Sequence, residues 1–119
     1  MRKLLLVEDN EDNAFLIRTI ISRSEFELIE ATNGLQSIEL AISEQPDLIL
    51  MDIQLPDING YEAVRQIRSA LGDSVKIIAV TAYAMAGDRE KCMEAGCDGY
   101  MEKPIDVKCF LQQIEDYLN

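Results

Sequence analysis

Glu8 and Asp9, Asp52, Thr81 and Lys103 lie far apart in this sequence, yet together they form a set that could do metal-assisted carboxylate chemistry. The chain contains no histidine. That excludes Ser-His-Asp and Cys-His nucleophilic systems, histidine-bound zinc and a self-contained phosphohistidine. Crowded carboxylates repel one another, and raised pKa values or a bound cation relieve the repulsion. Oxygen donors without histidine favour Mg²⁺, which takes a few carboxylates and keeps waters. With the ion in place, one carboxylate could attack phosphorus, because phosphoryl transfer mainly requires positioning and neutralised charge. Asp52 is the candidate nucleophile. The Lys103 ammonium and the Thr81 hydroxyl could meet the other phosphoryl oxygens.

These residues can meet only if the chain folds them onto one edge, and the apolar pattern supplies such an edge. Leu4–Val7 is an unbroken apolar run ending at Glu8-Asp9-Asn10, which suits a strand buried on both faces, then a helix capped by Asn10. Ala14, Ile17, Ile20 and Ile21 continue at helical spacing, and Phe26–Ala31 reads as a second strand nearer the sheet edge. Leu35, Ile38, Ala41 and Ile42 mark a second helix after Thr32-Asn33-Gly34, and Leu48–Met51 is a third strand ending on Asp52. Tyr61, Val64, Ile67 and Leu71 trace a third helix, and Val75–Val80 a fourth strand ending on Thr81. A shorter polar helix over about residues 86–95 follows. Gly99-Tyr100-Met101 is then a brief strand ending near Lys103, and Val107, Phe110, Leu111, Ile114, Tyr117 and Leu118 form a closing helix. Alternating strands and helices imply a parallel sheet covered on both faces, with ligands gathering at the carboxyl ends of the strands.

A chain of this length, 48% apolar, supports one core, and the expected organisation is a single domain over residues 1–119. Its formal net charge of −11 argues against nucleic acid and against anionic membranes as partners. No apolar run is long enough to span a bilayer. Cys92, Cys97 and Cys109 look like small buried hydrophobes rather than disulfide partners, which fits a cytoplasmic location. Cys92 and Cys97, five apart, do not share a helix face, which argues against a metal role.

The motifs V-E-D-N at 7–10, L-I-L-M-D-I-Q-L-P at 48–56, V-T-A at 80–82 and K-P at 103–104 resemble those of response regulator receiver domains of the CheY-like family. Each is weak alone, but their order, each at a strand end, is specific. The resemblance implies a flavodoxin-like, doubly wound (βα)5 fold of the α/β class, with a five-stranded parallel sheet of order 2-1-3-4-5 and helices on both faces. It also implies a phosphoacceptor switch of a two-component system or phosphorelay, not an enzyme acting on outside substrates. On this resemblance Asp52 is the phosphoacceptor and a metal ligand, Asp9 a direct metal ligand and Glu8 an acid holding the metal through water. Gln54 gives its backbone carbonyl to the metal. Thr81 and Lys103 meet the phosphoryl group, Ala82 leaves access to it, and Thr81 with Tyr100 forms the conformational switch. Gln54 and Tyr83 flank the site where family members tune hydrolysis, and the Lys103–Pro104 bond is expected to be cis. The implied cofactor is Mg²⁺, with Mn²⁺ or Ca²⁺ able to substitute. The implied partners are a sensor histidine kinase or histidine phosphotransfer protein as donor and a downstream protein target, with the chain a monomer or weak dimer. Both stand-alone regulators of the DivK type and receivers of hybrid histidine kinases share these motifs. The chain stops shortly after its last helix, so the expectation is a signal passed on through protein contacts.

Three other functions compete. A flavin or nucleotide binder of the same fold needs a glycine- or hydroxyl-rich phosphate cradle after the first strand, where this chain has Glu8-Asp9-Asn10-Glu11-Asp12. An aspartyl-intermediate phosphohydrolase needs a second acid two residues after the nucleophile, and that position is Gln54. A receiver-like scaffold that works without phosphorylation is disfavoured by the intact acids, acceptor and lysine.

Overall fold

Alternation along the strands sorts the core into two layers in the computed structural model, which describes residues 2–82 and 87–118. The order is β1 Lys3–Val7, α1 Glu11–Ile21, β2 Glu27–Ala31, α2 Gly34–Glu44, β3 Leu48–Asp52, α3 Gly60–Leu71, β4 Lys76–Thr81, α4 Asp88–Ala95, β5 Gly99–Glu102 and α5 Phe110–Leu118. A short 3₁₀ turn, Gly72–Ser74, joins α3 to β4. The five strands are parallel in the order β2-β1-β3-β4-β5, the flavodoxin-like arrangement expected from the sequence. Leu4, Leu6, Leu48, Leu50, Ile78 and Val80 point to the layer that packs on Ile17, Ile20 and Ile21 of α1 and Phe110 and Ile114 of α5. Leu5, Val7, Ile49, Met51, Ile77 and Ala79 point the other way, onto α2, α3 and α4. Strands this apolar have both faces covered, as a side-chain period of two requires.

The chain leaves three strand ends through an asparagine cap. Asn10 Oδ1 accepts from Asn13 N at 3.0 Å, Asn33 Oδ1 from Gln36 N at 2.8 Å and Asn59 Oδ1 from Tyr61 N at 2.7 Å. Each satisfies an amide that a helix start leaves without an intrahelical partner. The caps start α1 and α2 close behind β1 and β2, and α3 after the 53–59 loop that follows β3, and so fix the loops from which the site is built.

Leu35 and Ile42 belong to α2 as expected and lie on its outer face, 56% and 47% exposed, because only the Ser37–Ala41 side of that helix meets the sheet. Two expectations need correction. Val107 precedes α5 and is 52% exposed, so it is not part of the helix's buried stripe. Cys109 is exposed for the same reason, while Cys92 and Cys97 are buried. Although five apart, the two buried thiols are neighbours: α4 ends at Gly96 in a left-handed conformation, φ 118°, and Cys97 N donates back to Cys92 O at 3.0 Å. Burial pushes the Cys97 thiol up to about 12, which keeps it protonated and unreactive. Helix α4 begins at Asp88, and the expected start near residue 86 falls outside the described residues.

At the pole of the sheet opposite Asp52, one guanidinium joins three elements. Arg68 Nε and Nη2 donate to Gly96 O, Nη1 to Gly72 O and Val75 O, and Nη2 to Asp98 Oδ2, at 2.6–3.0 Å. The same Asp98 oxygen accepts from Ile77 N at 2.9 Å. Charged hydrogen bonds to half-buried carbonyls are among the stronger local terms, and deleting the donor leaves several acceptors unpaired. Arg68→Ala should therefore lose about 3 kcal/mol of stability in urea unfolding. Arg68→Lys should recover only part, because an ammonium cannot reproduce the planar fork.

Candidate phosphorylation and metal site

Glu8 and Asp9 follow β1 directly, Asp52 ends β3, Thr81 ends β4 and Lys103 follows β5. The parallel register therefore brings all of them to one rim. Glu8 N donates to Ala31 O at 3.0 Å, Ile53 N to Val80 O at 3.3 Å and Lys103 N to Thr81 O at 2.8 Å. These main-chain bonds carry the sheet pattern into the site and fix where each side chain starts.

Glu8, Asp52 and Thr81 are buried, at 4%, 6% and 3% exposure, while Asp9 is exposed. One carboxylate oxygen from each of Glu8, Asp9 and Asp52 lies within 4.8 Å of the others. Lys103 Nζ donates to Glu8 Oε1 at 2.5 Å and to Asp52 Oδ2 at 3.4 Å. Asp52 Oδ1 accepts from Gln54 N at 3.0 Å. The lysine is thus held more closely by Glu8 than by the central aspartate, a pairing that the sequence spacing did not reveal. Burial, and next the neighbouring Asp52 carboxylate, raise the Glu8 pKa to about 7, against the opposing pull of Lys103. One ammonium does not neutralise this group.

Mg²⁺ suits the donor set. Glu8 Oε2 is buried with no hydrogen-bond partner among the described residues, and the three acids supply only oxygen. Such oxygens are the donors that a hard cation of this kind prefers.

Among the other residues singled out from the sequence, Ala82 is exposed beside Thr81. Thr81 borders a hollow of about 350 Å³ shared with Ile53, Gln54, Leu55, Asn59, Tyr61 and Asp88. Tyr100 is half-buried against the α2–α3–α4 layer. The Lys103–Pro104 bond is cis. Tyr83 lies outside the described residues.

Sequence reasoning passed over Asp57. Its Oδ1 accepts from Gly34 N at 2.7 Å and its Oδ2 from Leu35 N at 2.9 Å, across to the first turn of α2. Nothing in the local pattern of L-P-D-I-N-G marks this long-range cap.

Residues 4–115 match the response regulator receiver domain family. The chain belongs to that family. The polar-differentiation response regulator DivK of Brucella anthropi is 43% identical over 120 residues, covering 98% of this chain and 96% of DivK. The receiver domain of a sensor histidine kinase from Pseudomonas aeruginosa PAO1 superposes with a TM-score of 0.88 at 34% identity, covering 98% of this chain and 97% of that one. Its crystal structure has a magnesium ion coordinated in the active site cleft. A CheY-like receiver from Methanospirillum hungatei JF-1 reaches a TM-score of 0.92 at 27% identity, covering 99% and 94% of the two chains. This receiver is accordingly a phosphoacceptor switch of two-component signalling. No described helix is long and apolar enough to cross a membrane.

Proposed function

We propose that Asp52 accepts the phosphoryl group. One observation carries this assignment: Asp52 ends the central strand β3, between the acids that follow β1 and the hydroxyl that ends β4, with its Oδ2 3.4 Å from the Lys103 ammonium. Asp9, Asp52 and the Gln54 backbone carbonyl would hold Mg²⁺, with Glu8 acting through a water. Bound there, the ion supplies positive charge against the phosphoryl oxygens. Mn²⁺ and Ca²⁺, which accept the same oxygen donors, would substitute.

An Asp52 carboxylate oxygen attacks phosphorus, the bond from phosphorus to the donor's histidine nitrogen breaks, and an acyl phosphate remains. Lys103 compensates one phosphoryl oxygen and the Thr81 hydroxyl hydrogen-bonds another. The donor is a phosphohistidine on a sensor kinase or a phosphotransfer protein. The receiver turns over no external substrate, and residues 1–119 act as one switch in the cytoplasm, as a monomer or weak dimer. Thr81 moving toward the new anion, with the Tyr100 ring following, would shift the balance between two packings and change a face that a downstream protein reads. Nucleic acid is not a partner, given the net charge of −11.

Incubation with acetyl phosphate and Mg²⁺ should add the mass of one phosphoryl group, lost on treatment with hydroxylamine, and chelation of the metal should prevent the gain. An unchanged mass with Mg²⁺ present, or equal gain without it, would contradict the proposal.

A further inference from the structure

We propose that Asp57 is a positioning residue for the metal ion: by gripping the start of α2, it holds the 53–59 loop where Gln54 can reach that ion. This rests on Gln54 supplying a backbone carbonyl to Mg²⁺.

The loop is secured at both ends. At its base Gly60 N donates to Ile53 O at 3.0 Å, and a Cβ at position 60 would come within 2.6 Å of Ile53 Cα and 2.8 Å of Asp52 O. Only glycine permits that closure. At its tip the Asp57 carboxylate takes two amides of α2, those of Gly34 and Leu35. A Cβ at position 34 would overlap Ile58 Cγ1, so that half-buried side chain would have to shift to admit one. Between the two anchors sits Gln54, with its N–H on Asp52 Oδ1.

Helix α2 also has local side-chain contacts at its start: Asn33 Oδ1 accepts from Gln36 N, and Gln36 Oε1 accepts from Thr32 N at 2.9 Å. The carboxylate, which comes from 23 residues further along the chain, takes the amides that remain. Burial works to raise the Asp57 pKa, but the amides of Leu35 and Gly34 outweigh it and hold the carboxyl below its ordinary range. Negative charge at a helix N-terminus is favourable in its own right. The contact therefore ties the 53–59 loop to the helix start, and that loop carries Gln54, whose amide lies on the acceptor carboxylate.

Calorimetric titration with Mg²⁺ alone tests this in the wild type, Asp57→Ala and Asp57→Asn. Groups that orient a metal's ligands typically change affinity 10–100-fold when lost, and Asp57→Ala should weaken Mg²⁺ binding by about tenfold. Asp57→Asn, which keeps the shape and one acceptor oxygen, should fall between and carries the test if the alanine variant does not fold. Amide exchange at Gly34 and Leu35 should quicken in both variants, and phosphoryl uptake should return to the wild-type rate once Mg²⁺ saturates. Wild-type affinity in variants whose Gly34 and Leu35 amides exchange faster would overturn the role of Asp57 alone. Wild-type protein that binds no Mg²⁺ would overturn the metal site and this inference together.

Discussion

Asp52→Asn should gain no phosphoryl mass from acetyl phosphate at saturating Mg²⁺, while remaining folded. The amide keeps the size of the side chain and an oxygen that can accept from Gln54 N, so the 3.0 Å contact and the end of β3 have no reason to move. What disappears is the nucleophile, since a neutral amide oxygen does not form a stable acyl phosphate. The substitution also removes one of three carboxyl groups clustered within 4.8 Å, which relieves their mutual repulsion, so the thermal midpoint should hold or rise. Label remaining on the Asp52→Asn variant, located by peptide mapping, would place the acceptor elsewhere. Loss of both label and fold would leave Asp52→Glu, which keeps the charge but moves it by one methylene, as the comparison. That variant should react far more slowly than the wild type.

Lys103→Ala should slow phosphoryl uptake by about 10²–10³-fold at saturating Mg²⁺, the usual cost of deleting one preorganised group that meets developing negative charge. The ammonium is only 11% exposed and bridges Glu8 and Asp52. The incoming group therefore finds its counter-charge already desolvated and aimed. Without it, new negative charge would accumulate beside Glu8, Asp9 and Asp52 with the metal as its sole compensation. Mg²⁺ binding itself should survive or tighten, because the site becomes more negative. That separates a defect in transfer from a defect in metal binding. Lys103→Arg should restore little, since its planar fork does not fit where a compact ammonium sits 2.5 Å from Glu8 Oε1. A time course of intact mass within a few-fold of wild type in Lys103→Ala would remove the lysine from the mechanism.

Much of this architecture could be read from residue order because its physics is local. Leu4–Val7, Leu48–Met51 and the run to Val80 are apolar at every position, and only a strand covered on both faces uses such a run. The acids, hydroxyl and amine were legible as a site because the parallel sheet turns sequence ends of strands into neighbours. Contacts between elements with no signature at either end were not legible. Arg68 looks like one more solvent-facing charge in α3 until Gly96, Gly72 and Val75 present carbonyls to it, and Asp57 looks like an ordinary loop acid. Helical spacing placed Leu35 and Ile42 in α2 without showing that they face outward: period identifies a helix, but the neighbours decide how wide a stripe is covered.

The amide of Lys103 donates to the carbonyl of Thr81 at 2.8 Å, which ties the carriers of the ammonium and the hydroxyl into one piece of backbone. On the proposed switch, a main-chain advance of Thr81 toward a new anion would draw the root of Lys103 with it. The two groups would then close like opposing jaws on a common hinge, and the tug would pass down β5 to Tyr100, three residues away. A chemical event smaller than one side chain would thereby acquire a lever arm that reaches the surface.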